Sequence, residues 1–344
     1  MPIRRTTIVL ALAAGNALAQ DDQPDVVEAL PTDPLRLEEP IRRGPEIPVV
    51  ESRDDFFALN RRDQTIYGRT QREPVTILAG FGYNYTGSAD LDRGGDFSVN
   101  RLTSEFGLSI KVSDDADLII VTEPSAAFYD FENAEGILPF APGVGEPIEE
   151  AYEVPLRLVY RVDKADGWSW FVGGSVVYAG EPGVEFEDAV YGDGFAAASW
   201  WVNDNLRLGF GVRGGIGLDG DPTVFPFPVI EWYPTERFSL VTSGRGISAG
   251  YEIGAWRLSV DATLITPEYG LDDDGPLPGG SFRERRFPVA FGVSYSPAPR
   301  FNVTGRIGAA VAGEIQFFDA GGGEVADESL DPVVFAGVEI SLRF

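Results

Sequence analysis

Apolar and polar residues alternate along most of this chain. In the stretch 206–218, Leu206, Leu208, Phe210, Val212, Ile216 and Leu218 are separated by Arg207, Gly209, Gly211, Arg213, Gly215 and Gly217. Successive side chains of an extended strand point to opposite faces, so this stretch presents an apolar wall on one side and a cationic, glycine-rich wall on the other. The same phasing runs through 75–86, 99–112, 154–162, 168–179, 256–264, 287–295, 301–315 and 333–344, and in noisier form through 117–129, 189–202, 223–232 and 237–254. Pro226 and Pro228 weaken a central-strand assignment for 223–232, because proline gives no donor to a ladder. No segment after the N-terminus has the roughly 20 consecutive apolar residues of a membrane helix.

Turn lengths order these runs. Short polar connections at 113–116, 163–167, 203–205, 233–236, 254–255 and 296–300 alternate with longer acidic or Gly/Pro-rich ones at 88–97, 130–149, 181–188, 268–284 and 317–331. This is the asymmetry of an antiparallel transmembrane β-barrel with short inner turns and long outer loops. Counting hairpins predicts an all-β barrel of about 14 strands over 75–344, both ends at the short-turn side, or about 12 if 237–254 is not split in two.

Tryptophans mark one rim of this barrel. Trp168, Trp170, Trp200, Trp201, Trp232 and Trp256 all fall within a few residues of the short turns, as expected of an aromatic girdle at a membrane interface. Tyr83, Tyr85, Phe128, Tyr129, Tyr178 and Tyr191 lie near the long loops and mark the other rim.

A barrel well above 8 strands is wider than its side chains can fill, so the inward phase specifies a lumen. It contains Arg101, Arg157, Arg161, Arg207, Arg213, Arg257, Arg306 and Arg343, set against Glu105, Glu153, Asp261, Glu314 and Glu339, with Gly and Ser between. Arginines outnumber acids, and each has the alternative of pairing with a neighbouring carboxylate to stiffen the wall. Such an inner surface suits water and small polar solutes, with a mild preference for anions. It disfavours a conduit for hydrophobic substrates.

The N-terminus has the form of a secretory signal, with Arg4 and Arg5, the apolar run Ile8 to Ala14, and Ala17-Leu18-Ala19 before Gln20. Residues 20–74, rich in Pro and charge, read as a mostly disordered periplasmic segment; Phe56, Phe57 and Leu59 interrupt it as a candidate plug. The final strand alternates Val334, Ala336, Val338, Ile340, Leu342 and Phe344 with polar or small residues. Its aromatic end resembles the closing strand of bacterial outer-membrane barrels. That resemblance implies an outer-membrane location in lipid and lipopolysaccharide, and makes Phe344 part of the signal read by the barrel assembly machinery.

Composition removes other classes. Without Arg4 and Arg5 the chain keeps 25 of its 27 basic residues against 54 acidic ones, a field that repels nucleic acid. Cys and His are both absent, which removes disulfides, thiol chemistry, His-dependent nucleophiles and the usual zinc ligand. No cofactor and no enzyme activity are expected. The acidic excess lies in loops, for example Asp90, Asp92, Asp272, Asp273, Asp274 and Asp327, where divalent cations are possible partners; Asp90-Leu91-Asp92 and Asp219-Gly220-Asp221 resemble only fragments of calcium loops.

The stretches Val224-Phe225-Pro226-Phe227-Pro228-Val229-Ile230-Glu231-Trp232, Arg237-Phe238-Ser239-Leu240, Gly250-Tyr251, Trp256-Arg257-Leu258-Ser259, 285–296 and Ala309 to Glu314 together resemble an uncharacterised family of porin-like outer-membrane β-barrels. The resemblance spans roughly 75–344 and implies fold and location, with no catalytic residues. Two functions follow as expectations: a passive channel for small polar solutes, or a non-conducting docking barrel occluded by loop 130–149 or by segment 20–74.

Overall fold

The computed structural model describes residues 74–344 apart from 142, 165–167, 244 and 299. The expected signal sequence and all but the last residue of the 20–74 segment lie outside the described residues.

Alternation of apolar and polar residues yields seventeen extended runs. They are β1 (Val75–Asp90), β2 (Asp96–Lys111), β3 (Ala116–Thr122), β4 (Ser125–Glu132), β5 (Glu150–Val162), β6 (Trp168–Gly180), β7 (Val190–Asn203), β8 (Leu206–Ile216) and β9 (Pro222–Trp232). Then come β10 (Phe238–Ser243), β11 (Gly246–Ile253), β12 (Trp256–Thr263), β13 (Glu268–Gly270), β14 (Ser281–Ala298), β15 (Phe301–Phe318), β16 (Glu324–Leu330) and β17 (Val333–Arg343). Three pairs of runs are single barrel strands interrupted once. β3 and β4 both pair with β2, β12 and β13 both pair with β14, and β16 and β17 both pair with β15. Each interruption holds a proline, Pro124, Pro267 or Pro332, which cannot donate to the ladder. The result is a closed 14-strand antiparallel barrel, sealed by β1 against β17 from Leu78↔Arg343 to Thr86↔Phe335.

The outer surface is apolar. Ile77, Phe81, Phe106, Leu156, Val176 and Phe210 are all about half exposed or more. Along the short-turn rim Trp168 stacks near Trp200 (4.9 Å) and Trp256 near Tyr295 (4.5 Å) on this outer face.

The long-loop end departs from expectation in two ways. Segments expected to be loops, 268–284 and 317–331, contain β13, the first turns of the 18-residue β14, and β16. In addition, β13 leaves the wall and meets β6 in a parallel bridge, Gly270↔Gly180. That crossing closes a smaller ring over β1–β6 and β13–β16. Its interior is apolar: Phe97, Phe131, Phe282, Ile315 and Phe317 pack with Ile137 and Leu138 of the β4–β5 loop.

The opposite side of the wall is low. β10 has 6 residues and β11 has 8, and β9 pairs with β10 only through Leu240↔Trp232 and Val241↔Glu231. The Thr242 hydroxyl accepts from Ile230 N (2.8 Å) and donates to Pro228 O (2.9 Å), replacing the next rung. Even-numbered residues of β9 therefore turn their backbone polar groups toward β10. Odd-numbered ones face β8, as Tyr233 N does in donating to Asn205 O (2.8 Å). Pro222, Pro226 and Pro228 all stand on the even register. They remove donors from an edge that has no neighbour to receive them, which is how the prolines are accommodated within a barrel wall.

Candidate functional site: the barrel interior

The interior is built from the inward phase of the strands, and its charges meet across strands. Near the short-turn end, Arg161 lies directly opposite Asp117 and holds it at 2.5 Å. Arg207 is opposite Glu231 (3.5 Å) and also reaches Asp163 (3.3 Å), with the Trp201 ring 5.6 Å from its guanidinium. Arg257 is opposite Glu252 (4.0 Å). Further along, Arg213 holds Asp193 at 2.5 Å, and the Arg157 guanidinium lies 5.3 Å from the Phe195 ring. Beneath the apolar outer core, Arg101 bonds Tyr129 (2.8 Å) and Glu284 (3.3 Å), both charged groups being fully buried. Arg286 shares Glu284 and lies 4.9 Å from the Phe97 ring.

The other expected lumen residues are placed by burial and register. Glu105, Glu153, Asp261 and Glu339 are buried on the inner face, Asp261 accepting from Ser259 (3.0 Å). Arg306 stands opposite Gly292 and Gly337, and Arg343 lies at the short-turn rim with its amide donating to Arg300 O. Glu314 is an exception. Between the pairs Arg286↔Gly313 and Pro288↔Ala310, β15 carries one residue more than β14. This bulge reverses the phase of everything beyond it. Ile315 and Phe317 consequently point inward, while Glu314 lies on the outer face beside Arg285 (3.3 Å). Trp201 is the second exception. It packs over buried Arg207 inside the rim, whereas Trp168, Trp170, Trp200, Trp232 and Trp256 are exposed outside.

The excess of inward arginine is smaller in effect than a count of residues suggests. Arg101, Arg161, Arg207, Arg213 and Arg257 each have a carboxylate partner, several of them not among the expected lumen residues. Asp117, Asp163, Asp193, Glu231 and Glu252 were hidden in the noisier runs or at turns, and only the cross-strand register reveals them.

Sequence phasing also missed a band of inner aromatics. Leu78, Ile119, Val121 and Val159 form a buried group with Phe171 and Phe195 packed on it, and Phe171 also packs with Ala197, Phe227 and Val229 alongside Phe225. The glycines between them are not empty lumen. A Cβ on Gly211 would collide with the Phe227 ring, and one on Gly173 would lie 2.7 Å from Phe195. Glycine thus lets a ring from the next strand lie flat against the wall. β7 and β9 supply half of this band, through Phe195, Ala197, Phe225, Phe227 and Val229.

No group of three or more acidic residues is placed to hold a metal among the described residues. Asp219, from the second acidic fragment, is instead held by Arg283, which also bonds Glu268 (2.7 Å) and so ties the β8–β9 loop to β13 and β14.

No family model matches this chain, and no curated protein matches it. Among solved structures, the TodX monoaromatic hydrocarbon channel deltaS2 mutant is 9% identical, with 85% of this chain and 95% of that chain covered at a TM-score of 0.47. An outer membrane channel from Pseudomonas putida F1 is 10% identical, over 80% and 97% of the two chains, at 0.42. The translocator domain of autotransporter NalP from Neisseria meningitidis is 11% identical, over 84% and 95%, at 0.35.

Proposed function

We propose that this chain is an outer-membrane channel for passive diffusion of small solutes. The observation that carries the reading is a closed 14-strand wall with an apolar belt outside and charged cross-strand pairs inside. A barrel of this circumference encloses more space than wall side chains fill, and buried ion pairs are maintained at the inner surface only where they stabilise the wall or meet water and polar cargo. Because most described lumen arginines share a carboxylate, the pore should discriminate weakly between anions and cations rather than act as an anion filter.

A second reading has its own support: Ile137, Leu138 and the crossing of β13 onto β6 cover one side of the outer end, as an occluded docking barrel requires. Planar-bilayer recording separates the two. The channel reading expects steady conductance and reversal potentials near zero under a salt gradient. Absence of conductance from a verified barrel moves the function to docking. Strong anion selectivity removed by exchanging Arg101, Arg157, Arg213 and Arg306 for Gln would overturn the weak-selectivity reading.

In this setting the belt lies in the outer membrane, facing lipopolysaccharide outside, with residues 20–74 on the periplasmic side. Phe344, exposed on the outer face and paired with Ile77 through Phe344 N to Ile77 O (2.8 Å), is the residue the assembly machinery would recognise. The yield of assembled Phe344→Ser barrel measures that role.

A further inference from the structure

The inner face of β5–β9 is a ladder of tiers. Residues in register on adjacent strands stand side by side, and successive inward residues of one strand are about 6.7 Å apart, the scale of a single six-membered ring. From the short-turn end, the first tier is ionic, with Arg207 opposite Glu231. The next carries hydroxyls, Ser169 opposite Ser199. Two aromatic tiers follow. Phe171 and Phe227 hold the lower one, with Ala197 and Gly211 between them. In the upper one Phe195, Arg213 and Phe225 stand in a single row across β7, β8 and β9. Above them comes a second polar tier, Ser175 opposite Asp193 and Thr223 opposite Gly215. Along the barrel axis the rings are therefore bracketed by donors and acceptors on both sides.

Three of these rings are offered to the lumen. Phe171, Phe195 and Phe225 lie on the inner face and are only partly buried, packed on neighbours such as Val159, Ala197 and Phe227. The tip of the Phe195 ring lies over Gly173, so the ring runs along the wall rather than across the lumen. Cations stand beside two of the rings, the Arg157 guanidinium 5.3 Å from the Phe195 centroid and that of Arg245 5.3 Å from the Phe225 centroid. The Arg213 and Asp193 side chains, joined at 2.5 Å, remain 13% and 14% exposed. That pair cancels its own charge yet still shows a polar edge next to the aromatic row.

These features define a solute. It needs a flat face of C–H groups to lie on the rings, since the negative face of an aromatic ring attracts such donors. It needs hydroxyls around the rim of that face to bond the tiers above and below. Net charge has no counterpart on this wall, because Arg207 and Arg213 each already hold a carboxylate. We propose that the aromatic tiers form a track for small neutral sugars, whose C–H faces stack on Phe171, Phe195 and Phe225 while their hydroxyls bond Ser169 and Ser199 below and Arg213 and Asp193 above. A purely apolar molecule would satisfy the rings and strip water from the polar tiers without replacing it. An acyclic polyol would satisfy the polar tiers and present no rigid face to the rings.

A sugar track requires the channel reading to hold, and it names that channel's cargo. Glucose and sorbitol are close in size and hydroxyl content and differ in the rigid ring, so comparing how each blocks ion current through the wild-type barrel in a planar bilayer isolates stacking. Glucose is expected to half-block the current at a concentration about three- to ten-fold below that of sorbitol. The double exchange Phe195→Leu, Phe225→Leu keeps the wall apolar and removes both ring faces, and is expected to raise the glucose value to that of sorbitol. Phe195→Tyr, which keeps the ring, is expected to stay within about two-fold of wild type. Equal values for the two solutes in wild type overturn the track while leaving the channel intact, whether or not any variant assembles. An undiminished glucose block in the double variant, or a current blocked by benzyl alcohol and not by glucose, overturns it as well. Absence of conductance from a verified barrel overturns the channel reading, and the track with it.

Discussion

The barrel has one tall seam and one low one. Where β1 meets β17, nine residue pairs run without interruption from Leu78↔Arg343 to Thr86↔Phe335, and the flanking strands continue past the belt into an outer apolar core. Where β9 meets β10, two pairs suffice, and beyond them Pro222, Pro226 and Pro228 remove three of the donors on that side of β9. Both seams solve the same problem, a strand that outlasts its neighbour. On the tall side the surplus chain buries Phe97, Phe282 and Phe317; on the low side prolines thin out the donors of the surplus backbone. Height of wall is set locally, by the shorter partner of each pair.

The largest expected effect tests the tall seam at its end. Exchanging Phe344 for Ser leaves the β1–β17 ladder with the same backbone but alters the exposed terminal side chain. Assembled barrel is expected to fall to a minor fraction of the wild-type level, measured as heat-modifiable protein in outer-membrane preparations, while Arg343→Ser, on the inner face, assembles normally. Equal levels for Phe344→Ser and wild type defeat the assembly role.

A smaller effect compares the seams directly. Val338 and Val224 both point outward, 47% and 74% exposed. Val338 lies midway up the closing seam and meets hydrocarbon, so Val338→Arg should cost about 2–4 kcal/mol, whereas Val224, high on the free part of β9, should tolerate Arg at about 0–1 kcal/mol. Reversible unfolding in lipid vesicles gives both values. A similar cost at the two positions would mean that Val224 sits as deep in the bilayer as Val338 rather than near its outer interface.

Much of this architecture is legible in the sequence because a period of two leaves little freedom. Inward Arg157, Arg161 and Arg207 and outward Phe210 and Val212 follow from parity alone, and the length of the turns orders the strands. What parity cannot carry is a change of phase or a choice of register. One extra residue in β15 reverses Glu314 and Ile315, and nothing in 301–315 announces it, since Ala309, Ala310, Val311 and Ala312 are apolar on either face. The partners of the arginines were obscured for a related reason: Asp117 and Arg161 are 44 residues apart and meet only through the β3–β5 pairing. Pro226 and Pro228 argued against a central strand, and that argument has a physical basis. They occupy a strand paired fully on one side and hardly at all on the other, a case that falls between centre and edge.

The smallest expected effect concerns the outer loops that fold over the tall side. Glu181, directly after β6, accepts from Asp272 N (2.9 Å), and its own amide donates to Gly270 O (3.0 Å), so it links the β6–β7 loop to the strand that crosses the barrel. Burial raises the Glu181 carboxyl above the ordinary carboxylate value, only partly offset by the bond from Asp272, and the neighbouring Asp272 and Glu149 charges push in the same direction as burial. A raised value in the folded state means that the packed form holds its proton more tightly than the open form. The stabilisation is therefore complete below the ordinary carboxylate range and is lost as pH rises through the raised value. Amide exchange at Asp272, corrected for intrinsic rate, should accordingly show greater protection at acid than at neutral pH, with the difference abolished in Glu181→Gln. Protection that rises with pH, or a slope unchanged by Glu181→Gln, would show that this contact does not govern closure of the tall side, and the low wall would then be free to differ from it by strand length alone.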